Sequence, residues 1–151
     1  MKKEKRHIGA RFLFLVYCAC MLWLLFGQRI VPGLYDTYID RLRSNINLTP
    51  LKTLQLYLRL THSANPYYVR HAYVNLIGNV VMFIPLGIFP PFIWRKMRSF
   101  PKVTAVGAAV IIGVEVLQYV TLLGSCDVDD LILNLFGVVI GYGLWKVIGK
   151  P

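Results

Sequence analysis

The sequence predicts an all-α, multi-pass membrane protein: a bundle of four transmembrane helices with the amino and carboxyl termini in the cytoplasm. Three observations predict it. Of the 151 residues, 56% are hydrophobic and 16% charged, and the mean hydropathy is +0.55. Apolar runs near the roughly 20 residues needed to cross a bilayer occur four times, and the basic residues cluster at alternate ends of those runs. This composition argues against an ordinary soluble enzyme. The formal charge of +10, from 17 Lys and Arg against 7 Asp and Glu, would suggest a nucleic-acid partner in a soluble chain. Here the cations flank hydrophobic spans, and no RNP-like stretch, zinc-knuckle spacing or base-reading helix is present, so the expected partner is the lipid bilayer and not nucleic acid.

The elements follow in order within a single domain, residues 1–151. The first span, about 8–27, contains FLFLVYCACMLWLLFG; Arg11 lies close enough to its end to snorkel. The preceding MKKEKRH resembles a signal-peptide n-region, but no A-x-A pattern follows and Tyr17 precedes Cys18, so an uncleaved span is expected. The second span covers about 72–94, the third 103–123 and the fourth 131–149. Pro85, Pro90 and Pro91 interrupt the second, with a kink expected near Pro85. In the first loop, residues 28–70, LKTLQLYLRLT spaces Leu51, Leu54, Leu58 and Thr61 as a short surface helix would, although its alternation also fits a strand. Asn65 and Pro66 mark a turn.

Lys and Arg counts orient the spans. Lys2, Lys3, Lys5 and Arg6, then Arg95, Lys96, Arg98 and Lys102, then Lys146 and Lys150 mark three cytoplasmic segments. The loop GSCDVDD has three aspartates and no cation and belongs outside. The first loop then lies outside as well, with six cations over 43 residues, a length at which the charge rule is less strict.

The informative residues are polar ones within apolar helices. Asn75 and Asn79 stand i, i+4 on the second span; Glu115, Gln118 and Tyr119 share a face of the third; Asn134 lies one turn into the fourth. At about 1.5 Å per residue, Glu115, Asn79 and Asn134 lie roughly 12, 10 and 6 Å from the outer ends of their helices, so antiparallel packing gathers them in the outer leaflet half. Glu115 at a helix centre costs roughly 2.5 to 3.5 kcal/mol on insertion scales and requires a partner or a wet pocket. Gln118, Asn79 and Asn134 are its neutral candidates. The cluster fits a ligand cavity, polar glue between helices, or an ion path that no ionisable residue continues inward. Asp127, Asp129 and Asp130 fit helix capping, a hard-cation site or an acidic rim. Gly137 and Gly141 form a G-x-x-x-G pair that predicts close helix packing.

No catalytic or metal-ligand motif is present. G-x-S-x-G, H-E-x-x-H and phosphate-cradling loops are lacking, His62 and His71 read as loop residues, and Cys18, Cys20 and Cys126 fall in no metal or disulfide spacing. No cofactor or metal is expected. Glu115 or an aspartate as general acid or base, without a recognisable nucleophile, is the enzymatic alternative.

Four segments together resemble the VanZ-like membrane protein family: INLTPLKT at Ile46–Thr53, NLIGNVVMFIPLG at Asn75–Gly87, VEVLQ at Val114–Gln118 and DVDDLILNLFGVVIGY at Asp127–Tyr142. The resemblance implies a small multi-pass protein of the bacterial plasma membrane, in a family whose founding member is associated with low-level resistance to teicoplanin, a glycopeptide carrying a lipid chain. It places the family's polar signature on Asn79, Glu115, Gln118, Asp127, Asp130 and Asn134. Many relatives carry an arginine shortly before the first aspartate; Gly124, Ser125 and Cys126 stand there, leaving Arg70 or Lys52 as substitutes. The expected site is an outward pocket with Glu115 and Gln118 as its floor, Asn79 and Asn134 as walls, Asp127 and Asp130 as rim, and Asn75 nearby. It would take a lipidated glycopeptide or a lipid-linked cell-wall precursor. The alternatives are an enzyme acting on such a precursor and a structural partner in a membrane complex.

Overall fold

The computed structural model describes residues 2–27 and 37–148; residues 28–36 of the first loop and the tail from Gly149 lie outside the described residues, as do the side chains of 2–6. The elements are α1 (Lys2–Phe26), α2 (Tyr38–Ser44), β1 (Ile46–Asn47), α3 (Lys52–Leu60), α4 (Pro66–Ile93), a 3-10 turn (Arg95–Met97), α5 (Phe100–Thr121), β2 (Cys126–Asp127) and α6 (Val128–Ile148). His7–Phe26 of α1 and the whole of α4, α5 and α6 are long and apolar enough to cross a membrane.

The spanning helices α4, α5 and α6 start earlier than the apolar windows because caps or first-turn prolines lengthen them. Asn65 accepts a hydrogen bond from the Tyr67 N–H at 2.9 Å and Pro66 occupies the first turn, so the expected turn is the first turn of α4. Consequently His71 lies in α4, not in a loop, with its ring between those of Tyr57 and Tyr67. Proline in the first turn likewise opens α5 after Ser99. At its other end, Leu122 adopts a left-handed conformation (φ 56°), and the Leu123 and Gly124 N–H groups both donate to the Gln118 carbonyl, closing the helix.

Buried positions on α5 follow one stripe, Val103, Gly107, Ile111, Glu115 and Gln118, and those on α6 include Asn134, Gly137, Val138 and Gly141. These stripes meet α4, whose Phe83 and Leu86 join Met21, Val103, Ile111 and Val138 in the core. Most other large apolar side chains face outward, among them Leu22, Trp23, Ile77, Val81, Leu117, Val120 and Phe136. In lipid such a surface costs nothing, so association rests on close packing and polar contacts.

The closest packing joins α4 to α6. A Cβ on Gly137 would strike the Val80 carbonyl oxygen, one on Gly141 the Ile84 carbonyl oxygen, and one on Gly87 the Val138 carbonyl oxygen. The G-x-x-x-G pair thus has its partner inside the chain, with Gly87 as a third glycine from the facing helix.

α4 is continuous through Pro85, Pro90 and Pro91. Pro85 has no N–H to offer the Val81 carbonyl. One residue on, the Met82 carbonyl accepts a hydrogen bond from the Tyr17 hydroxyl at 2.9 Å, which ties α1 to the proline turn. Tyr17→Phe is expected to cost about 0.6–1.5 kcal/mol, the range for one hydrogen bond of this kind. A lower SDS-unfolding midpoint with unchanged helix content would show it, whereas an unchanged midpoint would mean that the bond does not anchor α1.

Candidate functional site

The polar residues gather where α5 ends and α6 begins, and the segment before α3 closes over them. Ile46 and Asn47 pair in parallel with Cys126 and Asp127, and the Cys126 N–H donates to the Asn45 carbonyl at 2.8 Å. This short pairing brings Ile46–Thr53 against the start of α6, although 74 residues separate Thr53 from Asp127 in sequence.

Asp127 and Asp129 form a clasp across that junction. One Asp127 oxygen accepts the Asp129 N–H at 2.9 Å, which caps α6; the other accepts the Thr53 hydroxyl at 2.5 Å and the Asn47 amide at 3.2 Å. Asn47 also donates to the Thr53 hydroxyl oxygen at 2.9 Å. Asp129 caps a different helix: its carboxylate accepts N–H groups of Leu51 (2.6 Å), Thr53 (2.8 Å) and Leu54 (3.0 Å) at the start of α3. It is 2% exposed. Leu51, the residue before the helix, is held left-handed at φ 65°, ψ 1°, a conformation that follows Pro50 in the manner of a type II turn, where glycine is usual.

Behind the clasp, Glu115 is 6% exposed and accepts the Asp127 N–H at 3.3 Å. Buried Gln118 donates to the Leu25 carbonyl at 3.1 Å and joins α5 to the end of α1. Asn79 donates to Asp130 at 2.6 Å, a half-buried contact between α4 and α6. One turn below Asp130, Asn134 is 4% exposed and its side-chain oxygen has no hydrogen-bond partner among the described residues. Asn75 turns onto its own helix, donating to the His71 carbonyl at 2.8 Å. The Cys126 thiol has its pKa raised by burial and then by the charges of Glu115 and Asp127, which keeps it neutral and poorly nucleophilic at neutral pH.

Asn47 and Thr53 are the members of this assembly that sequence reasoning did not single out, and Asp129 was read without its partners on α3. Their signal was present in part: Asn47 and Thr53 belong to INLTPLKT, and Asp129 stands i, i+2 from Asp127. Nothing local announced that these two stretches meet. Among the described residues no group of His, Cys, Asp and Glu suited to a metal is found.

A small helical bundle with four candidate spans, closed at one end by a carboxylate clasp, defines the class as a polytopic membrane protein. The family described as VanZ/LLP1 matches residues 14–149, and the chain belongs to it. It is similar to "Protein VanZ" of Enterococcus faecium, with 25% identity over 143 residues, 95% of this chain and 77% of that protein. No solved structure matches.

Proposed function

We propose that this VanZ-family protein lowers susceptibility to teicoplanin at the bacterial plasma membrane. It engages a lipidated glycopeptide, or the lipid-linked cell-wall precursor such a drug targets, at the outward polar end of its bundle. The observation that carries the reading is Asn134. A buried amide oxygen without a donor carries a desolvation penalty of about 1–3 kcal/mol, and a ligand donor reaching it would remove that penalty. Asn79 and Asp130, half-buried one turn above, are the groups through which a ligand would approach. Glu115, Gln118 and Asp127 hold the surrounding backbone and set the shape of the entrance. The family relationship supports the antibiotic part of the proposal, and the clustering of polar groups at one end supports the site.

The glycine pair does not favour the reading as a structural partner, because α4 lies against it.

The test is teicoplanin and vancomycin susceptibility in a sensitive Gram-positive host expressing wild type, Glu115→Gln, Asp130→Asn or Asn134→Leu, with membrane abundance followed in parallel. Wild type is expected to raise teicoplanin tolerance selectively, and Asp130→Asn and Asn134→Leu to remove the increment at equal abundance. No increment from correctly inserted wild type would overturn the resistance reading. Loss only in variants that fail to accumulate would overturn the pocket.

A further inference from the structure

The outward side of α3 is built differently from the side that packs. Thr53, Leu54, Tyr57 and Leu60 are half-buried toward the bundle, and the Asp129 clasp fixes the helix in that rotation. Lys52, Gln55, Leu56 and Arg59, at i, i+3, i+4 and i+7, therefore share the opposite face. With Thr49 and Pro50 they line an open groove of about 450 Å³. Neither the Lys52 nor the Arg59 side chain has a hydrogen bond or ion pair among the described residues. No acidic residue occurs anywhere between Asp40 and Glu115, and the nearby Asp127 and Asp129 carboxylates are engaged in the clasp. Two cations on a fixed face thus lack local counter-charge.

We propose that this groove seats the phosphate-bearing head group of an anionic membrane lipid. Lys52 and Arg59 lie about 10 Å apart along the helix axis, a span both side chains can close upon a phosphate between them, with the Gln55 amide and Thr49 hydroxyl as further donors. Leu48, Leu51, Leu56 and Leu58 are all exposed around these cations, which selects an amphiphile over inorganic phosphate: the head group meets the cations while its acyl portion covers the leucines. α3 also joins two candidate spans, α1 and α4, and so lies at the end of the bundle, where lipid head groups are found. The proposal is independent of the antibiotic reading, since it concerns a different face and a ligand the membrane itself provides.

The test is native mass spectrometry of the full-length protein in a neutral detergent, titrated with dioctanoyl phosphatidylglycerol, dioctanoyl phosphatidylcholine or inorganic phosphate at constant ionic strength. The wild type is compared with Lys52→Gln/Arg59→Gln and with Arg95→Gln/Lys96→Gln, an equal charge change on exposed residues of the turn between α4 and α5. Phosphatidylglycerol is expected to bind wild type, to bind the α3 double variant about 25-fold more weakly at about fivefold per cation, and to bind the Arg95/Lys96 variant as it does wild type. Equal losses in the two double variants would show a general charge effect and overturn the site. Equal binding of phosphatidylcholine would overturn its selectivity for an anionic head group. Displacement of the lipid by inorganic phosphate at matched concentration would overturn the lipid in favour of phosphate alone. Helix content by circular dichroism should be the same in all three proteins, because both substituted side chains of α3 are exposed.

Discussion

Gly141→Ala is expected to destabilise the bundle by about 3 kcal/mol, at the upper end of what overpacking costs, while Gly143→Ala two residues away is neutral or slightly stabilising. The two substitutions add the same methyl group to the same helix. At Gly141 it meets the Ile84 carbonyl and the Gly87 Cα of the facing helix, and at Gly143 nothing lies within 4 Å. The obstruction at Gly141 is backbone, which cannot rotate aside as a side chain would, so α4 and α6 must separate. Separation also loosens Gly137 against Val80 and Gly87 against Val138, so the cost spreads along the seam. Gly141→Leu should prevent folding altogether. SDS-unfolding midpoints and size-exclusion profiles of the three variants would check this. A Gly141→Leu protein that stays monodisperse with a native midpoint would show that the seam does not hold the two helices together.

Much of this architecture was legible because a bilayer imposes length: four apolar runs give four candidate spans, and a glycine pair in one of them gives close packing. The helix starts were displaced because the caps Asn65 and Asp127, and the first-turn proline that opens α5, sit outside the apolar windows and extend the helices. Periodicity gave α3 as a helix but not the side it packs on. The stripe Leu51, Leu54, Leu58 and Thr61 was the apolar one, yet Leu51 and Leu58 are exposed and Thr53 and Tyr57 turn inward. A leucine beside a membrane has two apolar destinations, so hydrophobicity does not choose between them. The polar residues were recognised individually, and Asn79 with Asp130 and Glu115 with the Asp127 backbone do come together across helices. Capping of their own helix is one of the three readings the sequence leaves open for the aspartates. Asp127 caps its own, whereas Asp129 reaches a helix more than 70 residues earlier, a pairing fixed by tertiary contact and invisible to local pattern.

Removing that long-range cap is expected to release α3 while leaving the spans folded. The Asp129 carboxylate accepts from three N–H groups, those of Leu51, Thr53 and Leu54, and it also holds Leu51 in a left-handed conformation that a branched aliphatic residue adopts at a cost of roughly 1–2 kcal/mol. With Asp129→Ala these donors face no acceptor, and the left-handed turn has nothing to compensate its strain. The segment then opens to water instead of remaining folded with unpaired groups. Loss of a helix cap with charge-assisted bonds lowers the opening free energy by about 3 kcal/mol, equivalent to roughly a hundredfold faster hydrogen exchange over residues 51–60. Asp129→Asn should behave nearly as badly, because one carboxylate oxygen becomes an N–H₂ that points at N–H donors. Trypsin would report the same event by faster cleavage after Lys52 and Arg59, with α4, α5 and α6 still protected. Exchange and cleavage at wild-type rates in both variants would mean that the Pro50–Leu51 turn holds α3 without its cap. The comparison with Asp130→Asn separates architecture from ligand binding: that substitution retains the α3 cap, so it should leave protection over 51–60 unchanged while removing the proposed teicoplanin phenotype. Asp129→Asn should disturb both.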